Sequence, residues 1–594
     1  MLRKRRKPGP KPEGVTPLDR LLQYAAPYKS RAIAGMLCAF LVSICQAASP
    51  IVLERSIDSL SDEVTNSRLL EYGALIVTVA SVQAFLMFGQ ERLLLAISRL
   101  MEYDLRNDLY RHLQKLPMEF FQTHPTGDLM ARASGDVEAA VSGTGPVLMH
   151  SMNSAFVILL IVPVMVAQNW RLTLLACLPL PLMAAATKLF DNMVADWYEE
   201  VQAFFGVVYN RVQEAFSGVR TIRAFTQEES ERRAFTVLNQ QGVERNFRLT
   251  RLSALYNASI QFLGGLSYVV VFWYGGILTA SGKLTVGQLM EFFLYIGYLA
   301  WPIHGLGAAV NTFQRGKASL RRLHEILSTE PAIADPPQRI EGPEIAGAIE
   351  FRDLTFTYND ATEPALRGIN LRIAPGDTVA LVGPVGAGKS TLMNLVPRLL
   401  DADSDQVLID GRPIRQFRLQ DLRSVIGYVP QESFLFSQTI GANIAFGAPD
   451  SSAEEIECAA IQAGMGPDVA EFRDGYETSV GERGVLLSGG QKQRIGIARA
   501  IVRRPKILLL DDALSAVDTD TEQAILRDLR EVMRGRTCII SAHRVSTVKN
   551  AGRIVVLQDG RIAEQGSHDE LLSLGGQYAQ LHRMQKLEDE LAGG

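Results

Sequence analysis

The sequence predicts a polytopic α-helical membrane domain, with six long transmembrane helices extending into the cytoplasm, followed by a P-loop α/β domain. Three observations carry this. Apolar, charge-free stretches recur before residue 315, and near residue 346 the pattern changes to short β-rich runs alternating with helical segments. A glycine-rich turn, Gly383-x-x-x-x-Gly388-Lys389-Ser390, then follows an apolar strand-like run. The 594 residues carry Lys+Arg 60 against Asp+Glu 64, a net charge of −4, and are 47% hydrophobic. That balance argues against a nucleic-acid binder and against a disordered chain.

The charge-free cores run over 32–53, 72–90, 141–170, 172–187, 252–282 and 292–314, each compared with the roughly 20 apolar residues a spanning helix needs. The fourth is the weakest, being short and followed by Lys188. Tight turns are expected around Asn169 and Lys283, whereas the long, charged, helix-permissive connections between the second and third and between the fourth and fifth spans imply helices projecting well below the membrane.

Positive charge at Arg3 to Lys7, around Arg99 to Lys115 and from Arg211 to Arg251 places those regions in the cytoplasm; Glu54 to Arg68 then falls outside. No cleaved signal peptide is apparent. Leu18 to Tyr24 reads as a short amphipathic helix for the membrane interface. The expected organisation is a basic tail and interfacial helix over 1–30, the membrane domain over 31–315, a linker over 316–345 and a nucleotide-binding domain over 346–594. Cys38, Cys45, Cys177, Cys458 and Cys538 form no CxxC pair and are expected to serve packing.

In the turn after the Thr378 strand, glycines let successive N–H groups and the following helix N-terminus face phosphates. Gly383, Pro384, Val385, Gly386, Ala387, Gly388, Lys389, Ser390 and Thr391 form this candidate nucleotide site. Lys389 reaches the β- and γ-phosphates and Ser390 ligates Mg2+. Ile507 to Asp511 is an apolar strand ending in a carboxylate, where a second Mg2+ ligand belongs.

P-loops serve GTPases, kinases and helicases, so the discriminating feature is Leu487-Ser488-Gly489-Gly490-Gln491, some 20 residues before Asp511. This resembles the ATP-binding cassette (ABC) signature, whose donors at a helix start embrace a γ-phosphate across a dimer interface. The resemblance implies an adenine-stacking role for Tyr358, a Q-loop role at the metal for Gln431, a D-loop containing Asp518 and a switch role for His543. His124 to Arg132 and Glu214 to Phe225 look like the two intracellular coupling regions of exporters with six spans per half. The implied protein is an ATP- and Mg2+-dependent half-transporter in a bacterial cytoplasmic (inner) membrane, its N-terminus and cassette cytoplasmic.

One position departs from the family pattern. The family usually has Glu after the strand aspartate to polarise the attacking water, and this chain has Asp512. A carboxylate withdrawn by about 1 Å costs on the order of 100-fold in rate. A heterodimer is therefore favoured, in which this chain lends its intact signature to a partner; a homodimer with an active Asp512 and a regulatory half with little hydrolysis are the alternatives. Tyr295, Tyr298, Trp301, Pro302, His150, Asn153, Gln261 and Glu291 are the candidate cargo contacts. Their chemistry suits lipophilic or amphipathic drugs or lipids.

Overall fold

A computed structural model describes residues 16–61, 66–142, 145–336, 344–359, 361–402, 405–514 and 519–592. The chain divides into two compact units, Met1–Gln114 with Pro125–Thr329, and Lys115–His124 with Glu330–Gly594.

The first unit is helical: α1 (Lys29–Ser61), α2 (Asn66–Leu113), α3 (Pro146–Cys177), α4 (Pro179–Ser217), α5 (Glu228–Val270) and α6 (Val286–Ser328). At about 1.5 Å per residue, a helix the length of α2 far exceeds a hydrocarbon core of about 30 Å, so its charged half must lie outside the membrane. Among the described residues, four helical stretches are long and apolar enough to span: Pro17–Ser59, Leu70–Leu113, Met149–Ser217 and Glu228–Ala280; a shorter apolar segment, Val286–Ala300, opens α6.

Met149–Ser217 holds two expected spans because α3 breaks at Asn169, where φ is −156° and ψ 99°. The Asn169 side-chain oxygen accepts the Leu172 N–H at 3.0 Å, so the asparagine caps the returning helix. The fourth span is assembled from the end of α3 and the start of α4.

Two expectations need correction. The third span does not begin at Val141, because a short helix ends at Ser142 and α3 starts at Pro146, the first-turn position proline favours. Residues 316–328, expected in the linker, are the final turns of α6. Lys115–His124 groups with the second unit, and the chain returns to the first unit at Pro125. Leu18 to Tyr24 is helical as expected, opened by a reciprocal Thr16–Asp19 cap, but its Tyr24 hydroxyl donates to Asp108 on α2 at 3.0 Å. The basic residues Arg3 to Lys7 lie outside the described residues.

The second unit contains β1 (Ile349–Phe356), β2 (Leu366–Ile373), β3 (Thr378–Val382), β4 (Val407–Ile409), β5 (Arg412–Pro413), β6 (Ile426–Val429), β7 (Ile507–Asp511), β8 (Thr537–Ser541), β9 (Arg553–Gln558) and β10 (Arg561–Gly566). A small antiparallel sheet has the order β2-β1-β4-β5; the main sheet has the order β10-β9-β3-β8-β7-β6, parallel from β9 to β6. Strands β7 and β8 are buried throughout, which explains why β7 reads as an apolar run up to its terminal Asp511. Cores on either side of this sheet, around Leu392 and Ile539 and around Ile495 and Leu510, hold the carboxyl ends of the strands rigid.

Candidate nucleotide site

Strand β3 ends in the phosphate loop, which leads into α7 (Lys389–Leu395). A Cβ on Gly383 would lie 2.2 Å from the Leu557 carbonyl, and one on Gly388, at φ 97°, 2.7 Å from the Leu366 side chain. Glycine is therefore required by close approach at the first position and also by backbone conformation at the second. Lys389 is buried, and its ammonium donates to the carbonyls of Gly383 at 2.8 Å and Pro384 at 2.9 Å, across the loop that would receive phosphates. Burial pushes this ammonium below its ordinary value, while Asp511 and Asp512 pull it back up.

The parallel register sets Asp511 beside Ser541, bringing the ends of β7 and β8 to the same edge as the loop. Asp511 is buried. Asp512 has φ 48°, a left-handed conformation that aspartate enters more readily than most residues, and its N–H donates to the Ser541 carbonyl at 2.9 Å. Gln431 Nε2 donates to the Asp512 carboxylate at 3.4 Å, and His543 Nε2 lies 3.9 Å from the same oxygen.

A cleft of about 300 Å3 gathers Tyr358, Val385 to Thr391, Gln431, Asp511, Asp512, Ser541 and His543. The Tyr358 hydroxyl shares a 3.0 Å hydrogen bond with Thr391, and its ring meets Phe356 edge-on at 5.1 Å. Ser390, Gln431 and Asp511 offer hydroxyl, amide and carboxylate oxygens to one cleft, the hard-donor chemistry that suits Mg2+.

The signature sequence does not line this cleft. Leu487 is buried, and Ser488 caps α8 (Gly489–Ile501) by accepting the Gln491 N–H at 3.2 Å. Gln491 turns inward, accepting from the Ser488 N–H at 3.0 Å and donating to Asp468 at 2.9 Å. Gly489 and Gly490 open the helix. Asp518 lies outside the described residues.

Sequence reasoning missed three supports of the site. Gln493, buried in α8, donates to the Asp512 carbonyl at 3.4 Å. Buried Glu522, on α9 (Thr519–Met533), accepts from Arg544 at 3.0 Å and from the Thr547 hydroxyl. Gln585, on α10 (Gln577–Ala592), grips the His543 loop from the other side. The Gln493 offset from the signature was a usable signal; no local pattern marks the other two.

Two cargo candidates are packing residues. Tyr295 is buried, with its hydroxyl donating to the Ala47 carbonyl at 2.8 Å, and buried Glu291 accepts from Gln168 at 2.5 Å. Gln261 is exposed on α5, and the Trp301 side chain lies outside the described residues. His150, Asn153, Tyr298 and Pro302 do line one membrane-domain cavity.

Comparison with known proteins gives matches to the ABC transporter transmembrane region over residues 32–303 and to the ABC transporter family over 366–515. The chain is 36% identical to the probable multidrug resistance ABC transporter ATP-binding/permease protein YheI of Bacillus subtilis, over 97% of this chain and 99% of that one. It is 36% identical to the multidrug resistance-like ATP-binding protein MdlA of Escherichia coli, covering 93% of each. An ATP-dependent lipid A-core flippase of Syntrophus aciditrophicus is 35% identical, with 96% and 95% covered. Among solved structures, a bacterial Atm1-family ABC exporter with ATP bound aligns at TM-score 0.77 and 28% identity, over 94% of this chain and 99% of that one.

Proposed function

The chain belongs to the ABC transporter family, as a half-transporter that fuses one membrane domain to one ATP-hydrolysing cassette, and from that premise we propose that it exports lipophilic or amphipathic compounds as the degenerate-site half of a heterodimer. The carrying observation is the division of the site. The cleft holds the phosphate loop, Asp511, Asp512 and His543, but not Leu487 to Gln491, so a second chain is needed to complete it.

In this reading ATP bound between two cassettes clamps them together, favours the outward-facing form and is hydrolysed to release it. Lys389 and the loop N–H groups bind the phosphates, and Tyr358 stacks on adenine. Ser390, Gln431 and Asp511 would hold Mg2+, which would neutralise phosphate charge. His543 contacts the γ-phosphate, Gln431 relays the state of the site, and Asp512, with its shortened side chain, polarises water poorly. The D-loop containing Asp518 meets the partner, and the signature completes the partner's site. The apolar spans of the first unit, whose last helix runs on to Ser328, then cross a bacterial inner membrane, and the cassette of 346–594 is cytoplasmic.

Names of relatives that specify multidrug resistance and a lipid A-core flippase support drug or lipid cargo. The test is Mg-ATP turnover of this chain alone in lipid nanodiscs, with its oligomeric state recorded. Near-silence with ATP bound supports the degenerate half; turnover of about 1 to 10 per second from a homodimer overturns it.

A further inference from the structure

The phosphate loop and Tyr358 come from separate parts of the cassette chain, and a hydrogen bond joins them. Strand β1 ends at Phe356, so Tyr358 lies beyond the sheet, on the segment between β1 and β2. The Ala361 N–H donates to the Tyr358 carbonyl at 2.9 Å, and the Ala365 N–H donates to the Phe356 carbonyl at 2.8 Å. These bonds hold the main chain but leave the Tyr358 side chain its rotations. Thr391, in the first turn of α7, is 7% exposed and shares a 3.0 Å hydrogen bond with the Tyr358 hydroxyl. The helix that carries Thr391 is itself fixed, because Leu392, Met393 and Leu395 are buried in the core beside the sheet. Phe356 meets the Tyr358 ring edge-on, with 85° between the ring planes.

A side chain that a ligand must immobilise loses rotamer entropy on binding, whereas one already fixed does not. We propose that Thr391 is a positioning residue for Tyr358. Its hydroxyl locks the ring to the phosphate-binding helix ahead of nucleotide binding, so that base platform and phosphate cradle form one rigid unit. The chain then favours a triphosphate that carries an aromatic base over the bare triphosphate. This rests on the stacking role of Tyr358 in the reading above and adds what holds the ring.

Two probes separate base from phosphates: adenylyl imidodiphosphate, which is not hydrolysed, and inorganic tripolyphosphate, which has no base. Each is titrated calorimetrically, with Mg2+, against the full chain in phosphatidylcholine nanodiscs. The wild type is expected to prefer the adenine compound by about tenfold or more. Thr391→Val is close in shape but lacks the hydroxyl, and Tyr358→Phe keeps the ring. Each is expected to weaken the adenine compound about fivefold while changing tripolyphosphate less than about twofold. The double variant is expected to lose no more than either single one, because both remove the same bond.

A general loosening of the segment, or a direct contact between the Thr391 hydroxyl and a phosphate, would weaken both probes together. Equal losses for the two probes in Thr391→Val therefore overturn the assignment. Wild-type affinity for the adenine compound in Tyr358→Phe overturns it as well, as do additive losses in the double variant. If size exclusion shows that Thr391→Val fails to fold, Tyr358→Phe decides by itself, since it removes the same bond from the other side. A wild type that binds both probes equally, or neither, would remove the stacking role of Tyr358 and the assignment with it.

Discussion

Gln585 brackets the loop of His543: its Nε2 donates to the His543 carbonyl at 2.5 Å while its Oε1 accepts from the Val545 N–H at 2.8 Å. One primary amide thus satisfies an acceptor and a donor two residues apart, from a helix 42 positions downstream of His543. Glu522 restrains the same loop through Arg544 and Thr547.

Gln585→Ala is expected to lower kcat for ATP about 10- to 100-fold in the assembled transporter while changing KM less than about twofold, because positional error at a reacting group costs rate before binding. Gln585→Glu keeps the bond from Val545 but sets a carboxylate against the His543 carbonyl, and is expected to fall equally far. Steady-state ATPase assays check both; a rise in KM with kcat preserved would place the effect on binding.

Restoring the family's glutamate tests the slow site directly. Asp512→Glu is expected to raise turnover by up to about 100-fold. The longer residue must adopt the same left-handed backbone, φ 48°, so a stability loss of about 1 kcal/mol should accompany the gain. ATPase assays and thermal unfolding measure the two together; unchanged turnover would remove the main support for a degenerate half.

The Arg322 guanidinium on α6 hydrogen-bonds Asp136 and holds its carboxyl below the ordinary carboxylate range, against the opposing effect of burial. A depressed folded value contributes stability above the unfolded value, about 3.9, and loses it as pH falls through the lower folded one. Asp136→Asn should cost about 1 kcal/mol or less at pH 7, because Arg322 is half-exposed, and should flatten the acid limb below about pH 4. Unfolding temperatures from pH 7 to pH 3 give both results.

Burial pushes the Cys538 thiol up to about 12, whereas Cys458 is exposed. Maleimide at pH 7 is expected to modify Cys458 in the native protein and Cys538 only after unfolding. Peptide mass spectrometry before and after urea distinguishes the two.

Phosphate-loop and strand signals were legible because each is local. The spacing from Gly383 to Ser390 encodes one turn between one strand and one helix, and Asp511 had to lie at a sheet edge because the apolar run before it ends there. Apolar length likewise marked the membrane spans, and the chain turns at Asn169 because its side chain caps the helix that follows.

Tertiary structure decided which of these signals act together. Gln431, Asp512 and His543 are far apart in sequence and meet only because parallel β6, β7 and β8 end at one edge. It also withdrew Tyr295 and Glu291 from the cargo candidates, turned Gln491 inward, and revealed Gln585. Sequence by itself therefore determined the cassette chemistry and the membrane character, since both are written in contiguous residues. The long-range partners were left to the fold, because a hydrogen bond between distant residues has no periodicity or spacing in the chain.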